Sequence, residues 1–357
     1  MSPSNMSLTQ LAKVAMLGVA GLASAHALPV LKLHAEAPYL DAAALREAFS
    51  SQGIAVVTGW NTSFATQFTE AQAASAALFS SREMESVHMG DISPMRGYIP
   101  TGAESGLVDS VYEPKEGYSY GHPSLSSVNP VAADGAAKDL LNANVWPADA
   151  APATVSALED FYLVAAAVAE LVGDTLGPEL GEMGRGGSLN SLLRLFHYFP
   201  TADAAGGSSE EGLKVLGSSP HTDWGYVTVI LQDSVGGLQV ASQSQPGEWV
   251  DVPAVPGSLV VIAGDYMRAV SGQRYLSPVH RVVAPQHEHR TSFVYFHYPL
   301  HSKPLPPRDT ATEEGGYNTL YDAVDSSPTP IDTFGEYMVL KWAGVLRANK
   351  QAATPEL

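Results

Sequence analysis

Apolar residues recur with two different periods along this chain, and the change of period divides it. In the first half, Tyr39–Ser51 and Phe64–Phe79 carry apolar residues at helical spacing, and Pro152–Leu176 is apolar nearly all round. These segments predict two amphipathic helices and one buried helix. Two short apolar runs, Leu28–Leu33 and Gly53–Gly59, predict strands in the same half.

Short apolar runs rich in β-branched residues fill the second half. Turn residues such as Asp233–Gly237 and Pro256–Gly257 separate them, and this spacing predicts an antiparallel sandwich or jelly-roll barrel. A closing helix is predicted from Ile331 to Lys350. The fold class is therefore mainly β with flanking helices. The predicted strands are Leu192–Tyr198, Tyr226–Leu231, Gly237–Ala241, Glu248–Val252, Ser258–Ile262, Val279–Val283 and Thr291–Tyr298.

The stretch from Met95 to Asn129 is rich in Gly, Pro, Ser and Tyr and has little periodicity. It predicts a long irregular segment, and such segments within a compact domain are more often functional than not. We divide the chain into a helical and mixed N-terminal region (28–180), a β core (181–310) and a C-terminal segment with the closing helix (311–357). No clean linker separates these regions.

The first residues have the pattern of a targeting leader. No acidic residue lies between Met1 and His34, and Lys13 precedes an apolar run that ends in small residues at Ala25 and Ala27. A cleaved leader over residues 1–27 would direct the protein to the secretory pathway or an organelle. The run is too short for a stable membrane anchor. The alternative is an amphipathic surface helix on a cytoplasmic protein.

Charge and cysteine content narrow the chemistry. The chain has 19 Lys and Arg against 37 Asp and Glu, a formal charge of −18, and no basic patch offsets it. We therefore expect no nucleic-acid partner. A small-molecule substrate and a monomer are our default expectations, and the charge does not indicate either. Because the chain has no cysteine, any metal must be held by imidazole and carboxylate, which suits iron, manganese or zinc.

One local motif has the pattern of a metal site. His221 and Asp223 lie two residues apart in His-Thr-Asp-Trp-Gly, which we predict to open the strand Tyr226–Leu231, so both side chains would point to the same side. The candidate third ligand is His280, on another predicted strand. Two imidazoles and one carboxylate leave three adjacent positions open on a metal, which is the arrangement of non-haem iron(II) oxygenases.

A candidate anion clamp follows His280 in the sequence. Arg290 and Ser292 lie on the predicted strand Thr291–Tyr298 or at its edge. A guanidinium binds a carboxylate through two hydrogen bonds, and a neighbouring hydroxyl adds a third. A buried pair of this kind would be costly to leave without an anion.

Together these motifs resemble the isopenicillin N synthase-like branch of the iron(II)/2-oxoglutarate-dependent dioxygenase family. The resemblance covers most of the chain, in the order of the family's motifs. It implies a double-stranded β-helix (jelly-roll) core that uses Fe(II), 2-oxoglutarate and O2. The segments that carry it are His221-Thr-Asp-Trp-Gly, Gly236-Gly-Leu-Gln-Val, Trp249-Val-Asp-Val, Pro256-Gly-Ser-Leu-Val-Val-Ile-Ala-Gly-Asp265, Arg274-Tyr-Leu-Ser-Pro-Val-His-Arg-Val and Arg290-Thr-Ser292.

Residue roles follow from that resemblance position by position. It makes His221, Asp223 and His280 the iron ligands, and Arg290 and Ser292 the clamp on the far carboxylate of 2-oxoglutarate. Tyr198 stands where many members place a tyrosine that also contacts this co-substrate. Here the chain departs from the family, because Phe199 intervenes before Pro200 and Phe196 replaces an asparagine of plant members.

The implied activity is oxidation, in the first place hydroxylation, of a small organic substrate with release of succinate and CO2. No acid–base residue is needed, so we nominate no catalytic residue beyond the metal site. Three alternatives stay open: an isopenicillin N synthase-like oxidase that does not use 2-oxoglutarate, a non-catalytic binding relative and a zinc hydrolase.

Other polar and aromatic residues have competing interpretations. We interpret His297, on an apolar strand, as a satisfied core histidine, and the exposed pair His287 and His289 as a loop rather than a metal site. Glu116 and Tyr118 are candidates for substrate contact, although loop packing is favoured for both.

Overall fold

The computed structural model describes seven ranges of the chain: 28–33, 39–90, 95–104, 111–126, 142–201, 214–307 and 320–352. The predicted leader, residues 1–27, lies outside the described residues. No helix in the described ranges is both long enough and apolar enough to span a membrane.

Seven α-helices lie in these ranges, and side chains cap the N-termini of the first two. Asp41 caps the first helix by accepting from the backbone N–H of Ala43 at 2.9 Å, and Asn61 caps the second by accepting from Phe64 at 3.1 Å. The helices are α1 (Ala42–Ser51), α2 (Thr62–Phe79), α3 (Pro152–Leu176), α4 (Pro178–Gly184), α5 (Asp265–Val270), α6 (Leu320–Asp325) and α7 (Phe334–Ala352).

The predicted closing helix is confirmed as α7, which begins at a capping box. The Glu336 carboxylate accepts from the backbone N–H of Thr333 at 3.0 Å, and the Thr333 hydroxyl accepts from the N–H of Glu336 at 3.4 Å. This reciprocal pair satisfies donors that a helix N-terminus leaves open. The predicted start at Ile331 was therefore three residues early.

Fourteen strands are described, and twelve of them form two facing sheets. The strands are β1 (Val30–Lys32), β2 (Ile54–Thr58), β3 (Gly97–Ile99), β4 (Val111–Tyr112), β5 (Lys115–Tyr120), β6 (Leu192–Tyr198), β7 (Lys214–Val215), β8 (Ser218–His221), β9 (Val227–Gln232), β10 (Leu238–Ala241), β11 (Trp249–Asp251), β12 (Leu259–Ala263), β13 (His280–Val282) and β14 (Arg290–His297).

The larger sheet has the order β1-β2-β12-β9-β14-β6-β5-β3, and the smaller has the order β11-β10-β13-β8. From β8 to β14 the chain crosses repeatedly between the two sheets, with only β10 and β11 following one another in the same sheet, which confirms the jelly-roll prediction. The remaining strands, β4 and β7, pair with each other in parallel.

Both faces of the larger sheet are buried, which explains the continuous apolar runs in its strands. In β12, Leu259, Val261 and Ala263 pack with the helices, whereas Val260 and Ile262 face the smaller sheet. Each fully buried aliphatic side chain contributes about 1.5–3 kcal/mol to stability. Helix α3 covers the outer face and also packs against α2 and α4.

The stretch from 95 to 129 differs from its prediction where it is described. Instead of a wholly irregular segment, β3 and β5 extend the larger sheet, and β5 pairs with β6 along its whole length. The sequence Lys-Glu-Gly-Tyr-Ser-Tyr of β5 lacks the β-branched residues that mark strands. Backbone pairing with β6 forms this strand, and no local pattern revealed it.

His297 is a satisfied core histidine, as predicted. Its Nε2–H donates to the Gly184 carbonyl at 2.8 Å, and its Nδ1 lies 3.1 Å from the Tyr295 hydroxyl. The residue is fully buried, and burial lowers the pKa of His297 to about 4. The imidazole is therefore neutral in the folded protein at neutral pH.

We expect His297 to make the fold sensitive to acid. The unfolded chain binds a proton near pH 6.5, whereas the folded protein resists it until about pH 4. Stability present above pH 6.5 is therefore lost as the pH falls to 4, by about 3 kcal/mol from this group. In urea titrations across this range, His297→Gln should show a smaller pH dependence of the unfolding free energy. The exposed His287→Gln variant should retain the wild-type dependence, and an unchanged profile for His297→Gln would contradict the assignment.

Candidate metal centre

Three predicted ligands converge between the two sheets. His221 ends β8 and His280 begins β13, and these two residues are direct cross-strand partners in the smaller sheet. Asp223 lies just after β8. One ligand atom from each of the three residues lies within 4.8 Å of the others, which is the spacing that a shared metal ion requires.

The path of the backbone differs from the prediction that His221 and Asp223 open one strand. His221 ends β8 in the smaller sheet, and the next strand, β9, begins only at Val227 in the larger sheet. The two ligands therefore lie at a crossover between sheets. They converge because the chain turns there, and not because residues two apart on a strand share a face.

Hydrogen bonds orient each ligand atom. His221 donates from Nδ1 to the Ser219 carbonyl at 2.7 Å, and His280 donates from Nδ1 to the Pro278 carbonyl at 3.1 Å. These bonds leave both Nε2 atoms with free lone pairs, at 3.8 and 3.7 Å from the same Asp223 oxygen, Oδ1. Backbone carbonyls commonly set the tautomer of metal-binding histidines in this way.

The second oxygen of Asp223 is occupied. Its Oδ2 accepts a 2.5 Å hydrogen bond from the hydroxyl of Thr228, the second residue of β9. Oδ1 therefore remains for an ion, and the carboxylate would bind through one oxygen. Asp223 is 3% exposed and His280 is 4% exposed, so the centre is well shielded.

Asp265, at the start of α5, ties the two ligand-bearing segments together. Its carboxylate accepts from Ser277 at 2.7 Å and from Thr222 at 3.1 Å, and its backbone N–H donates to the Asp223 carbonyl at 2.8 Å. Burial raises the pKa of Asp265 to about 7. One buried residue thus links the loop of Asp223 to the segment before His280.

Electrostatics favour a neutral imidazole at His221. The side chain of His221 opens into a cavity with 43% of its surface exposed, yet protein surrounds it on the other sides. Burial and the neighbouring His280 both lower the pKa of His221. A neutral imidazole is the form that binds a metal.

Arg290 is a buried cation on the first position of β14. It is 1% exposed, and the described residues offer it no carboxylate. Its Nε donates to the carbonyl of Gly236, and its two Nη atoms lie 3.3 and 3.4 Å from Ser292 Oγ and Gln232 Oε1. Gly236 and Gly237 both have positive φ, of 78° and 91°, which explains the two glycines of this turn.

Tyr198 lies beside this guanidinium, despite its departure from the family pattern. Arg290 is 4.6 Å from the centroid of the Tyr198 ring, and the Tyr198 hydroxyl lies 3.4 Å from Ser292 Oγ. The two residues are also cross-strand partners, since Tyr198 in β6 lies opposite Arg290 in β14. The structure therefore brings Arg290, Ser292 and Tyr198 together.

One cavity of about 240 Å³ contains both groups. His221, Asp223 and His280 line it, and so do Arg290, Ser292 and Tyr198. The alternation of strands β6 and β14 explains the lining, because every second side chain points inward. A ligand in this cavity can therefore reach the metal centre and the guanidinium together.

Several residues of the cavity were not predicted. Glu113 accepts from the backbone N–H and the hydroxyl of Ser219, at 2.7 and 2.6 Å, and pairs with Lys115. It thus supports the residue whose carbonyl orients His221. Arg194 could have been found from the sequence, because it alternates with Tyr198 along β6. The others lie on separate elements, and no local motif marks them. The cavity residues missed are Glu104, Glu113, Lys115, Arg194 and Trp342.

The other candidates for substrate contact or metal binding lie outside the cavity. Glu116 accepts from Tyr98 at 2.7 Å and faces His197, and Tyr118 donates to the Val145 carbonyl, so both pack outside the cavity, as favoured. His289 lies 2.9 Å from His197 Nε2 on the surface. Within the described ranges, only the triad meets the geometry of a three-ligand metal site.

Comparison with known proteins agrees with this geometry. The model of the 2OG-Fe(II) oxygenase superfamily matches residues 189–299. A 1-aminocyclopropane-1-carboxylate oxidase homolog 10 from Arabidopsis thaliana is 36% identical over 141 residues, which cover 40% of this chain and 35% of that protein. The 2-oxoglutarate-dependent dioxygenase citB from Monascus ruber is 31% identical over 212 residues, covering 56% of this chain and 61% of the relative.

Similar solved structures support the fold. A full-length Neurospora crassa protein crystallised in complex with alpha-KG has a TM-score of 0.59 at 24% identity, covering 85% of this chain and 90% of that one. The 2-oxoglutarate complex of a dioxygenase for auxin oxidation from Arabidopsis thaliana has a TM-score of 0.57 at 21% identity, covering 81% and 100%.

The chain spans only about a third of the length of the first curated relatives that it matches. The matched region nevertheless includes all three residues of the triad as well as Arg290 and Ser292. Residues 189–299, which contain the triad, thus match the 2OG-Fe(II) oxygenase superfamily, and the relatives named above include a 2-oxoglutarate-dependent dioxygenase.

Proposed function

We propose that this protein is an iron(II)- and 2-oxoglutarate-dependent oxygenase that oxidises a small organic substrate. His221, Asp223 and His280 would hold the iron. Arg290 and Ser292 would bind the far carboxylate of 2-oxoglutarate, with Tyr198 packed beside them. Hydroxylation is the reaction that we expect.

The observation that carries the proposal is the buried Arg290 beside a metal-binding triad. A guanidinium that is 1% exposed, with no carboxylate among the described residues, is costly unless an anion reaches it. The cavity that it lines also contains the triad, so one molecule can bind at both ends. A dicarboxylic acid with a keto group next to one carboxylate has the matching chemistry.

The donor set fits iron(II). Two imidazole nitrogens and one carboxylate oxygen would hold the ion, and this donor set is the one that iron(II) takes in oxygenases that also bind a co-substrate and dioxygen. No thiolate is available, because the chain has no cysteine. The hydrogen bonds from His221 and His280 to backbone carbonyls keep both Nε2 atoms ready for the ion.

When bound, iron with 2-oxoglutarate and dioxygen supplies the oxidising power that functionalises a C–H bond and releases succinate and CO2. The protein contributes position and exclusion of water. Thr228 donates a hydrogen bond to one oxygen of Asp223, so the other oxygen would hold the ion, and Asp265 links the two ligand segments. No acid–base residue is required of the chain.

An oxidase that draws its electrons from the substrate alone is the main alternative. The relatives include 1-aminocyclopropane-1-carboxylate oxidase homologs as well as 2-oxoglutarate-dependent dioxygenases. In such an oxidase Arg290 and Ser292 would bind a carboxylate of the substrate instead of 2-oxoglutarate. Stoichiometric succinate formation separates the two functions.

We also infer that residues 1–27 act as a targeting leader and that the mature protein is a monomer. The absence of acidic residues before His34, with Lys13 preceding an apolar run, supports the leader.

Replacing Arg290 should impair use of the co-substrate. Because Arg290→Met removes a buried charge that pairs with a carboxylate, we expect KM for 2-oxoglutarate to rise by about 100-fold or more in a succinate-release assay. Arg290→Lys should recover only part of this loss, because lysine lacks the two-pronged geometry. The exposed Arg185→Met variant is the matched control and should retain the wild-type KM. An Arg290→Met enzyme with unchanged KM would contradict the clamp.

Replacing Glu113 should weaken metal binding without removing a ligand. Glu113→Ala removes the acceptor that holds Ser219, and Ser219 orients His221, so we expect about 10- to 100-fold weaker binding of Mn(II). Anaerobic titration followed by electron paramagnetic resonance measures this affinity.

Glu113→Gln retains an acceptor oxygen and should recover part of the affinity. The exposed Glu182→Ala variant should bind Mn(II) as the wild type does. Equal Mn(II) affinity in Glu113→Ala and the wild type would show that Glu113 does not position the ligand.

A further inference from the structure

The wall of the cavity along β6 carries features that neither the metal nor the clamp uses. The inward residues of β6 that line the cavity are Leu192, Arg194, Phe196 and Tyr198. Tyr198 lies opposite Arg290, whereas Arg194 lies opposite Val294, four residues further along β14. At about 3.4 Å per residue, Arg194 is some 14 Å along the strands from the clamp. Arg194 therefore belongs to a different part of the cavity.

Arg194 has hydrogen-bonding capacity to spare. Its Nη2 lies 2.8 Å from Glu104 Oε1, and its guanidinium lies 5.5 Å from the Phe196 ring centroid. Its Nε is buried and has no hydrogen-bond partner among the residues that the structure describes. An unmatched buried donor on a charged group is costly, so a ligand acceptor here would be strongly favoured.

A second unmatched donor lies in the same cavity. Trp342 of α7 is 5% exposed, and its Nε1–H has no acceptor in the described part of the chain. The Arg194 guanidinium is 5.7 Å from the Trp342 ring, and Trp224 meets that ring edge-on at 6.1 Å. Two N–H donors and two indole rings thus lie together on one wall.

The charges around Arg194 cancel. Glu104 contacts Arg194 and lies 3.8 Å from Lys115, and Lys115 pairs with Glu113. Burial alone would raise the pKa of Glu104, but Arg194 and Lys115 lower it below its ordinary value. Two carboxylates therefore balance two cations on this wall. A ligand with a net charge would upset that balance among buried side chains, whereas a neutral ligand would not.

We infer that the substrate is a small, flat, neutral molecule whose carbonyl or amide oxygen accepts hydrogen bonds from Arg194 and Trp342, with its ring against the indole rings. Arg194 and Trp342 are thus specificity-determining residues. The inference rests on the proposed function, because it places this ligand beside 2-oxoglutarate in the same cavity.

Three compounds of nearly identical shape test the charge preference: benzamide, benzoate and benzamidinium. Toluene is the fourth probe, because it keeps the ring and lacks the acceptor. Each is titrated by calorimetry into the full-length protein loaded with Mn(II) and 2-oxoglutarate without oxygen. Benzamide should bind at least about tenfold more tightly than each of the other three, since a hydrogen bond to a charged group has this order of effect.

Variants test which residues carry the preference. Arg194→Met and Trp342→Phe should each weaken benzamide binding and leave toluene binding nearly unchanged. For Arg194→Met we expect benzamide binding to weaken by about tenfold. Trp342→Phe keeps a ring and removes only the N–H donor. Arg185→Met and Trp249→Phe are matched controls outside the cavity and should bind benzamide as the wild type does.

The outcomes separate this inference from the proposed function. Three outcomes would overturn the inference and leave the proposed function intact. Benzoate or benzamidinium could bind more tightly than benzamide, or toluene could bind as tightly as benzamide. The third outcome is that protein which holds 2-oxoglutarate binds none of the four probes. If 2-oxoglutarate itself does not bind the Mn(II)-loaded protein, the proposed function and the inference that rests on it are both wrong. Benzamide selectivity that persists in Arg194→Met and Trp342→Phe would also overturn the assignment.

Discussion

The antiparallel pairing of β8 with β13 is the contact on which the centre depends. It sets His221 opposite His280, so that two imidazoles distant in sequence face the same carboxylate oxygen of Asp223. Backbone carbonyls then orient both rings, and Thr228 occupies the second oxygen of Asp223. Because each ligand atom is held by a bond on its far side, little rearrangement is needed when an ion binds.

The larger sheet supports this arrangement because it is buried on both faces. Helices cover its outer face, and its inner face forms the wall of the cavity. The N-terminal region adds β5 to this wall and brings Lys115 into the cavity, where Glu104 and Glu113 balance the charges of Lys115 and Arg194. A region that looks separate in the sequence thus supplies charges that shape the binding site. The clamp and the Arg194 wall are different parts of one cavity, one open to an anion and the other electrically balanced.

Much of the core could be predicted from local pattern. Strand β6 and helix α3 have the predicted bounds, and the seven strands predicted in the second half all appear within a few residues of their expected termini. Strand β5 was missed because its Lys-Glu-Gly-Tyr-Ser-Tyr sequence has weak strand preference, and pairing with β6 overrides that preference. Strand β8 was missed because Ser-Ser-Pro-His lacks an apolar period, and its pairing with β13 is equally non-local.

The sequence by itself determined the type of chemistry. It contains two histidines and an aspartate in a recognisable order, an arginine and serine after them, and no cysteine to offer a competing site. Only the tertiary structure decided which atoms face the ion and which residues share their cavity. Glu104, Arg194 and Trp342 come from a loop, a strand and the last helix, and none has a local motif. Convergence of this kind depends on how sheets and helices pack, and residue spacing along the chain does not encode it.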